Sequence, residues 1–160
     1  MPRAYLSLGS NIDPVENLRA AIDALTQRFG VVVISPTYRM PAVGMHGEDF
    51  LNLAVALDTD LDAHALNRWL HALEDRQGRR RDVPRWSSRT LDIDIVLFDD
   101  CVLQGEGNLE IPRSEIAHAF VLKPLADIAA DVQHPTLHRP IGALWAEHPQ
   151  RDDEFVTVAL

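Results

Sequence analysis

The sequence predicts a ferredoxin-like α+β sandwich, with two helices packed on one face of an antiparallel sheet. Strand-like and helix-like patterns follow one another in the order β-α-β-β-α-β, which is the order of that fold. The chain has 160 residues, of which 46% are apolar, and this is enough to bury a core without disulfides. No repeat or low-complexity tract interrupts the pattern. We therefore expect residues 1–160 to form a single domain.

Four strand patterns carry this order, and a fifth is weaker. Apolar residues alternate with polar or small residues at positions 2–10 and 50–58, which is typical of half-buried strands. Positions 31–38 are rich in β-branched and aromatic residues, and positions 90–98 give the clearest strand pattern. A further short strand is expected at positions 108–112.

Two helices have clear start and stop signals. Asp13 and Pro14 are typical of a helix N-terminus, and apolar residues at helical spacing follow as far as Gly30. Asp62 is placed to cap a second helix, which is expected to end near Gly78. Shorter helices are expected at positions 114–119, 124–130 and 140–145.

Composition and charge exclude several classes of protein. The formal net charge of -9 argues against general affinity for nucleic acid. Cys101 is the single cysteine, so no internal disulfide is expected. No apolar stretch approaches the roughly 20 residues needed to cross a bilayer, and residues 1–3 lead into a strand pattern instead of a signal peptide. We expect a cytoplasmic monomer that binds neither nucleic acid nor a membrane.

Positive charge is concentrated in one segment of this acidic chain. Six arginines lie at positions 76, 79, 80, 81, 85 and 89, whereas the chain has one lysine, Lys123. Because arginine binds phosphate oxygens through two N–H donors, a local arginine cluster is typical of an anion site. The alternative is an exposed helix end whose arginines interact with the last backbone carbonyls.

Two carboxylates alternate in the strand that follows the arginines. Strand periodicity places Asp92 and Asp94 on one face. The opposite face is expected to carry Leu91, Ile93, Ile95 and Leu97. Carboxylates two positions apart on a strand lie roughly 6–7 Å apart, so both reach one pair of Mg²⁺ ions. The alternative is two charges on the exposed side of a half-buried strand.

The arginines and the two aspartates together are suited to phosphate transfer, because arginines and metal ions neutralise the negative charge of the transferred phosphate group. A Walker A sequence and a kinase glycine loop are both absent from the sequence. Phosphate must therefore be bound by a different kind of site from these two glycine-rich loops.

Five segments occur in order over about residues 4–130: residues 5–11 (YLSLGSN), 38–41 (YRMP), 49–52 (DFLN), 85–95 (RWSSRTLDIDI) and 120–125 (FVLKPL). Together they resemble the hydroxymethyl-dihydropterin pyrophosphokinase family of the folate pathway. The resemblance implies transfer of pyrophosphate from ATP to the hydroxymethyl group of 6-hydroxymethyl-7,8-dihydropterin, with release of AMP. It also implies two Mg²⁺ ions, held by Asp92 and Asp94.

The same resemblance implies roles for further residues. The ATP phosphates are expected to contact Arg79 and Arg89. Other residues expected on the nucleotide side are Glu74, Trp86, Arg113 and His118. The pterin is expected between the rings of Phe50 and Phe120, with Asn52 bonding its amide edge. Backbone contacts are expected from positions 40–44, namely Met40, Pro41 and Val43. Taken without the resemblance, Phe50 and Phe120 are ordinary core residues.

The chain departs from the family pattern at a few positions. Ser87 and Ser88 replace the usual Gly-Pro, and Met40 replaces a common threonine. Arg113 stands where the family usually has histidine, and His118 stands where arginine is common. Both side-chain types can donate hydrogen bonds to phosphate, although His118 would contribute a charge only when protonated.

Other functions are consistent with parts of the sequence. One is a non-catalytic or nucleic-acid-binding ferredoxin-like module, since this fold hosts many functions. Another is a Mg²⁺-dependent phosphohydrolase that uses the two aspartates with water. A divergent family member acting on a different pterin is a third. His134 and His138 are spaced as a metal pair, but Pro135 interrupts the segment.

Overall fold

The fold is described by a computed structural model that covers residues 1–41, 48–78 and 89–160. The strands are β1 (Arg3–Ser10), β2 (Val33–Ile34), β3 (Tyr38–Met40), β4 (Phe50–Asp58), β5 (Asp92–Phe98), β6 (Leu103–Gly105), β7 (Leu109–Ile111) and β8 (Val156–Thr157). The helices are α1 (Pro14–Phe29), α2 (Ala63–Arg76), α3 (Ala119–Ala129) and α4 (Ile141–Ala146), with one 3₁₀ turn at Ser114–Ala117.

The main sheet has the strand order β5-β1-β4-β3-β8, and β2 also pairs with β4. All of its pairings are antiparallel. A separate hairpin joins β6 to β7. The arrangement confirms the predicted ferredoxin-like class: β1 lies inside the antiparallel sheet between β4 and β5, and α1 and α2 cover one face.

The two faces of the sheet have different partners. On one face, the odd-numbered leucine and valine positions of β4 pack with α1 and α2 in the larger core cluster, whose central residues include Leu6, Leu53 and Ile93. On the other face, Ala54 and Ala56 pack against α3 in a second cluster. The alternation of side chains along β4 therefore decides which residues meet each layer, as the period of two predicts.

A bulge corrects one sequence prediction. The pairing of β1 with β5 shifts register between Tyr5 and Leu6, so that Leu6 faces Ile95 and Tyr5 faces Leu97. Leu97 consequently packs in the second cluster, with Val96, and not with Ile93 and Ile95 as we predicted. The extra residue at the bulge changes which face the following side chain occupies.

Two other strand predictions also differ from the structure. The single strand expected at 31–38 is divided into β2 and β3, because Pro36 lies between them and cannot donate to a sheet ladder. The short strands β6 and β8 were not predicted, since two or three residues show no readable alternation. The prediction at 50–58 is confirmed by β4.

The helix predictions are confirmed in the first half and need correction in the second. The side chain of Asp62 accepts a hydrogen bond of 2.8 Å from the backbone N–H of Ala65, as expected of an N-cap. Asp13 precedes α1 but its side chain makes no capping hydrogen bond. The helix expected at 124–130 begins earlier, at Ala119, so that Pro124 lies inside α3 instead of opening it.

Among the described residues, no helix combines the length and the apolar character needed to span a bilayer. Cys101 is a free, half-buried thiol.

Candidate active site

The second face of the sheet carries polar residues in two cross-strand rows beyond the end that α3 covers. In one row, Gly9 of β1 pairs with Asp92 on one side and with Asn52 on the other. In the next row, Ser7 pairs with Asp94. Neighbouring strands lie about 4.8 Å apart, so the backbones at Asp92 and Asn52 are separated by roughly 10 Å. The sheet thus places the carboxylates beside the amide, across a residue that has no side chain.

Asp92 and Asp94 both lie half-buried on this face, as predicted. Burial, followed by the charge of Asp92, raises the pKa of Asp94 well above its usual range, and Arg113 acts in the opposite direction. Two close carboxylates in a partly dehydrated position repel each other. A bound dication removes that repulsion, and carboxylate oxygens are the ligands that Mg²⁺ prefers.

Within the parts of the chain that the structure describes, no group of three or more His, Cys, Asp or Glu residues is arranged to hold a metal ion. A pair of aspartates nevertheless fits Mg²⁺, because this ion usually takes one or two protein carboxylates and completes its shell with water and substrate phosphates. Asp92 and Asp94 are therefore the residues able to hold magnesium here, provided that a phosphate ligand is present.

Arg113 reaches the acidic pair from the segment after β7. Its Nε atom lies 3.6 Å from Oδ2 of Asp94. The same guanidinium donates from Nε and NH2 to Oε1 of Glu115, at 3.0 and 2.7 Å. Burial disfavours the charge of Arg113, but Asp94 and then Glu115 outweigh burial and raise its pKa. A permanent positive charge consequently stands beside the predicted metal ligands.

Glu74 lies in the last turn of α2 with 2% of its surface exposed. Its Oε2 atom accepts a hydrogen bond of 2.9 Å from the backbone N–H of Ile93. Ile93 stands between Asp92 and Asp94 in β5, so Glu74 braces the strand that carries both carboxylates. Its predicted place near the nucleotide remains a prediction.

Arg89 lies next to the acidic strand and is 6% exposed. Its backbone N–H donates to Oδ1 of Asn11 at 2.7 Å, and its carbonyl accepts from the backbone N–H of Asn11 at 3.0 Å. These two bonds fix the main chain at Arg89 against the end of β1. The predicted contact of its side chain with ATP phosphates remains a prediction.

The side chain of Asn52 has a hydrogen-bond donor that a ligand could pair. It is 4% exposed, and its Nδ2 atom is buried without a hydrogen-bond partner among the described residues. A buried donor left unpaired costs about 1–3 kcal/mol. Asn52 therefore presents an unused amide donor on the same face as Asp92.

The first residues of β4 and the end of β3 lie next to this amide. Phe50 is half-buried and stands two residues before Asn52, so both side chains lie on the same face. Met40 pairs with Phe50 and is 4% exposed, whereas Pro41 is exposed.

The start of α3 carries the other predicted ring. Phe120 is half-buried, and the imidazole of His118 stacks on it with ring centroids 5.2 Å apart and planes inclined by 13°. The hydroxyl of Tyr38 donates a short hydrogen bond to Asp127, which ties α3 to β3. This bond holds the helix that presents Phe120, and the stacking gives His118 a packing role beside its predicted phosphate contact.

Several predicted site residues lie outside the described residues, namely Val43, Gly44, Arg79 and Trp86. That Arg113 and His118 both contact phosphate remains a prediction. The structure places Arg113 beside Asp94 and His118 beside Phe120, on opposite sides of the 3₁₀ turn.

Sequence reasoning assigned no role to three residues that the structure places at this site. Gly9 separates Asp92 from Asn52, Asn11 holds the backbone of Arg89, and Glu115 pairs with Arg113. Gly9 and Asn11 belong to the segment YLSLGSN, which carried part of the resemblance, so that segment was the available signal. Glu115 gave no signal of its own.

A family model matches residues 5–130, and it describes 7,8-dihydro-6-hydroxymethylpterin-pyrophosphokinase (HPPK). Among curated proteins, the 2-amino-4-hydroxy-6-hydroxymethyldihydropteridine pyrophosphokinase of Pseudomonas aeruginosa is 42% identical over 143 residues, covering 83% of this chain and 84% of the relative. The protein of the same name from Methylorubrum extorquens is 41% identical, over 82% and 85% of the two chains. That of Bacillus subtilis is 38% identical, over 81% and 80%.

Solved structures show the same fold. The chain superposes on the Plasmodium falciparum HPPK-DHPS protein with a TM-score of 0.73, at 16% sequence identity. The match covers 94% of this chain but 44% of the Plasmodium chain. The chain thus spans less than half the length of that solved protein, and the likeness supports the fold alone.

Proposed function

Because the chain belongs to the 7,8-dihydro-6-hydroxymethylpterin-pyrophosphokinase family, we propose that Asp92 and Asp94 hold two Mg²⁺ ions and that the row Asp92, Gly9 and Asn52 aligns the two substrates. Members of this family are ATP-dependent enzymes of folate biosynthesis that transfer pyrophosphate to hydroxymethyldihydropterin. The chain has the same activity. The assignment of residues to roles is the proposal.

The nucleotide side lies along β5 and the segments that flank it. Arg89 and Arg113 supply positive charge to this side, and Nε of Arg113 lies 3.6 Å from Oδ2 of Asp94. When bound, Mg²⁺ would neutralise charge on the phosphate oxygens. Other residues assigned to this side by sequence similarity are Glu74, Arg79, Trp86 and His118.

The pterin side lies at the start of β4. The unused Nδ2 donor of Asn52 matches an acceptor on the edge of a pterin ring, and its Oδ1 matches a ring donor. Phe50 and Phe120 offer aromatic faces between which a flat heterocycle is held. Met40, Pro41 and Val43 are assigned here by sequence similarity.

The transfer step follows from this placement. The hydroxymethyl oxygen of the pterin attacks the β-phosphorus of ATP, the bond from that phosphorus to the α,β-bridging oxygen breaks, and the hydroxyl proton is released. AMP leaves with the bridging oxygen, and the β- and γ-phosphates stay on the pterin. The chain contributes position and charge more than covalent chemistry, as is usual for phosphoryl transfer.

One observation carries the proposal: Asp92 and Asn52 are both cross-strand partners of Gly9. A single residue without a side chain separates a metal ligand from the amide that would hold the pterin. Because Gly9 has no side chain, the Asn52 amide can lie against β1, next to the strand that carries the carboxylates.

The test is a nucleotide-product assay with ATP, Mg²⁺ and 6-hydroxymethyl-7,8-dihydropterin. We expect AMP and pterin diphosphate in equal amounts, and no AMP when either the pterin or Mg²⁺ is left out. AMP or ADP formed without pterin would indicate a phosphohydrolase, and no product at all would indicate a binding module. A panel of other reduced pterins tests for a divergent substrate.

We also propose that residues 1–160 act as one cytoplasmic domain without a partner chain, nucleic acid or membrane. The main sheet contains both β1, near the start of the described residues, and β8, near their end, which supports a single folding unit. A molecular mass near 17.9 kDa by light scattering is the expected result, and a mass of twice that would contradict the monomer.

A further inference from the structure

Asn11 connects the two halves of the site through its side chain. It is 5% exposed and follows the last residue of β1. Its Oδ1 atom accepts a hydrogen bond of 2.7 Å from the backbone N–H of Arg89. Its Nδ2 atom donates a hydrogen bond of 3.0 Å to the backbone carbonyl of Glu48.

These two backbone partners of Asn11 lie on different sides of the proposed site, one beside the pterin and one beside the nucleotide. Glu48 stands two residues before Phe50, at the entry to the strand that carries Asn52. Arg89 stands three residues before Asp92, at the entry to the strand that carries the metal ligands. The buried amide of Asn11 thus hydrogen-bonds to the main chain on both the pterin side and the nucleotide side.

We propose that Asn11 is a positioning residue that couples the binding of the pterin to the binding of ATP. This inference rests on the proposed function. A pterin that fixes the start of β4 also fixes the Glu48 carbonyl, and Asn11 passes that restraint to the backbone of Arg89. The nucleotide then binds to an arrangement that is already ordered, and coupling between two ligands is reciprocal.

The chemistry of asparagine suits this role. An amide offers one acceptor and two donors on the same planar group, so it can meet an N–H on one side and a carbonyl on the other. Aspartate keeps the acceptor for Arg89 and loses the donor for Glu48. Alanine loses both.

The experiment measures the dissociation constant of the pterin by titration calorimetry, with and without saturating α,β-methylene ATP and Mg²⁺. The ratio of the two constants is the coupling factor. In the wild type we expect the analogue to tighten pterin binding about fivefold or more, which is the lower end of ordinary coupling. In Asn11→Ala and Asn11→Asp the factor should fall to within about twofold of unity.

Asn67→Ala is the matched control. Asn67 is 7% exposed, and its Nδ2 also donates to backbone carbonyls, those of Glu106 and Gly107, at 3.2 and 3.3 Å. Its loss should lower stability as the Asn11 variants do, and leave the coupling factor at its wild-type value. Because coupling is a ratio measured on folded protein, a general loss of stability does not mimic the expected result.

Asn11→Asp provides the second variant in case Asn11→Ala folds poorly, because it retains the bond to Arg89. Asn11 variants that keep the wild-type factor would overturn the proposal, and so would a wild type with no coupling. Either result leaves the proposed function intact if the wild type forms AMP and pterin diphosphate. A wild type that neither binds pterin nor forms AMP refutes the proposed function itself.

Discussion

Gly9 and Asn52 are direct cross-strand partners, and a Cβ atom built at Gly9 would lie 2.9 Å from Oδ1 of Asn52. Real Cβ atoms essentially never approach an oxygen so closely, so the amide would have to move. The absence of a side chain at Gly9 therefore sets the position of the Asn52 amide.

Gly9→Ala should raise the KM for the pterin about tenfold, because the displaced amide loses roughly one hydrogen bond of 1–1.5 kcal/mol. The KM for ATP should change much less. Gly142→Ala is the control, since its Cβ would meet Ala130 Cβ at 3.1 Å within a different part of the chain. Equal effects of both variants on the pterin KM would contradict the assignment.

Asn52→Leu should separate binding from stability. Leucine removes the unpaired buried donor, so the free energy of unfolding of the unliganded protein should stay the same or rise by about 1 kcal/mol. Pterin affinity should fall about tenfold to a hundredfold. The contrasting variant is Asn67→Leu, whose paired amide makes its loss destabilising without affecting the pterin. Denaturant unfolding and calorimetry measure both quantities.

Asp94→Asn should abolish transfer and stabilise the unliganded protein. The raised pKa of Asp94 arises from burial and then from the charge of Asp92, and it shows that the ionised form is unfavourable in the fold. Removing that charge is expected to raise the melting temperature by about 2–4 °C, the effect of roughly 1 kcal/mol in a domain of this size. Transfer within about threefold of wild type at saturating Mg²⁺ would refute the metal assignment.

Arg113→Ala should lower kcat/KM for ATP about tenfold or more at every pH from 6 to 9, because a guanidinium keeps its charge throughout. Arg113→His should approach the wild type at pH 6 and lose activity as the pH rises, since a neutral imidazole brings no charge to phosphate. Arg139→Ala, which removes an exposed pair with Glu147, is the control. Parallel profiles for the histidine variant and the wild type would mean that the charge of Arg113 is not used.

His134 gives a prediction about pH and stability. It is 4% exposed, and its Nδ1 atom accepts backbone hydrogen bonds from Thr136 and Leu137 at 3.3 and 3.1 Å. Burial, and then the neighbouring His138, lower the pKa of His134. The unfolded chain takes up a proton as the pH falls through about 6.5, whereas the folded chain does so at lower pH. The contribution of His134 to the free energy of unfolding is therefore fully present above about pH 6.5, and it is lost as the pH falls below that value.

The check is the melting temperature of the wild type and His134→Gln between pH 8 and pH 5. The variant should be less stable at pH 8, and its melting temperature should fall less on acidification. His64→Gln, at an exposed position on α2, should retain the wild-type pH dependence. Identical slopes for the wild type and His134→Gln would show that the buried imidazole does not contribute.

Local features of the fold were readable from the residues alone. The alternation in β4 and the cap at Asp62 depend on neighbours within a few positions, and both are confirmed. The same period of two placed Asp92 and Asp94 on one face of their strand. The segment resemblance indicated the family, which the family model then confirmed.

The arrangement of the site depends on contacts between distant parts of the chain, and no local period encodes them. Antiparallel pairing brings Asp92 and Asn52 to either side of Gly9, although they stand 40 positions apart in the sequence. The bulge that moves Leu97 to the other cluster arises from the pairing of β1 with β5, so the sequence of β5 does not reveal it. The bonds of Asn11 to Glu48 and Arg89 likewise exist because the sheet brings three segments together. Side-chain spacing sets the face of each residue, whereas burial of the whole core sets which strands become neighbours.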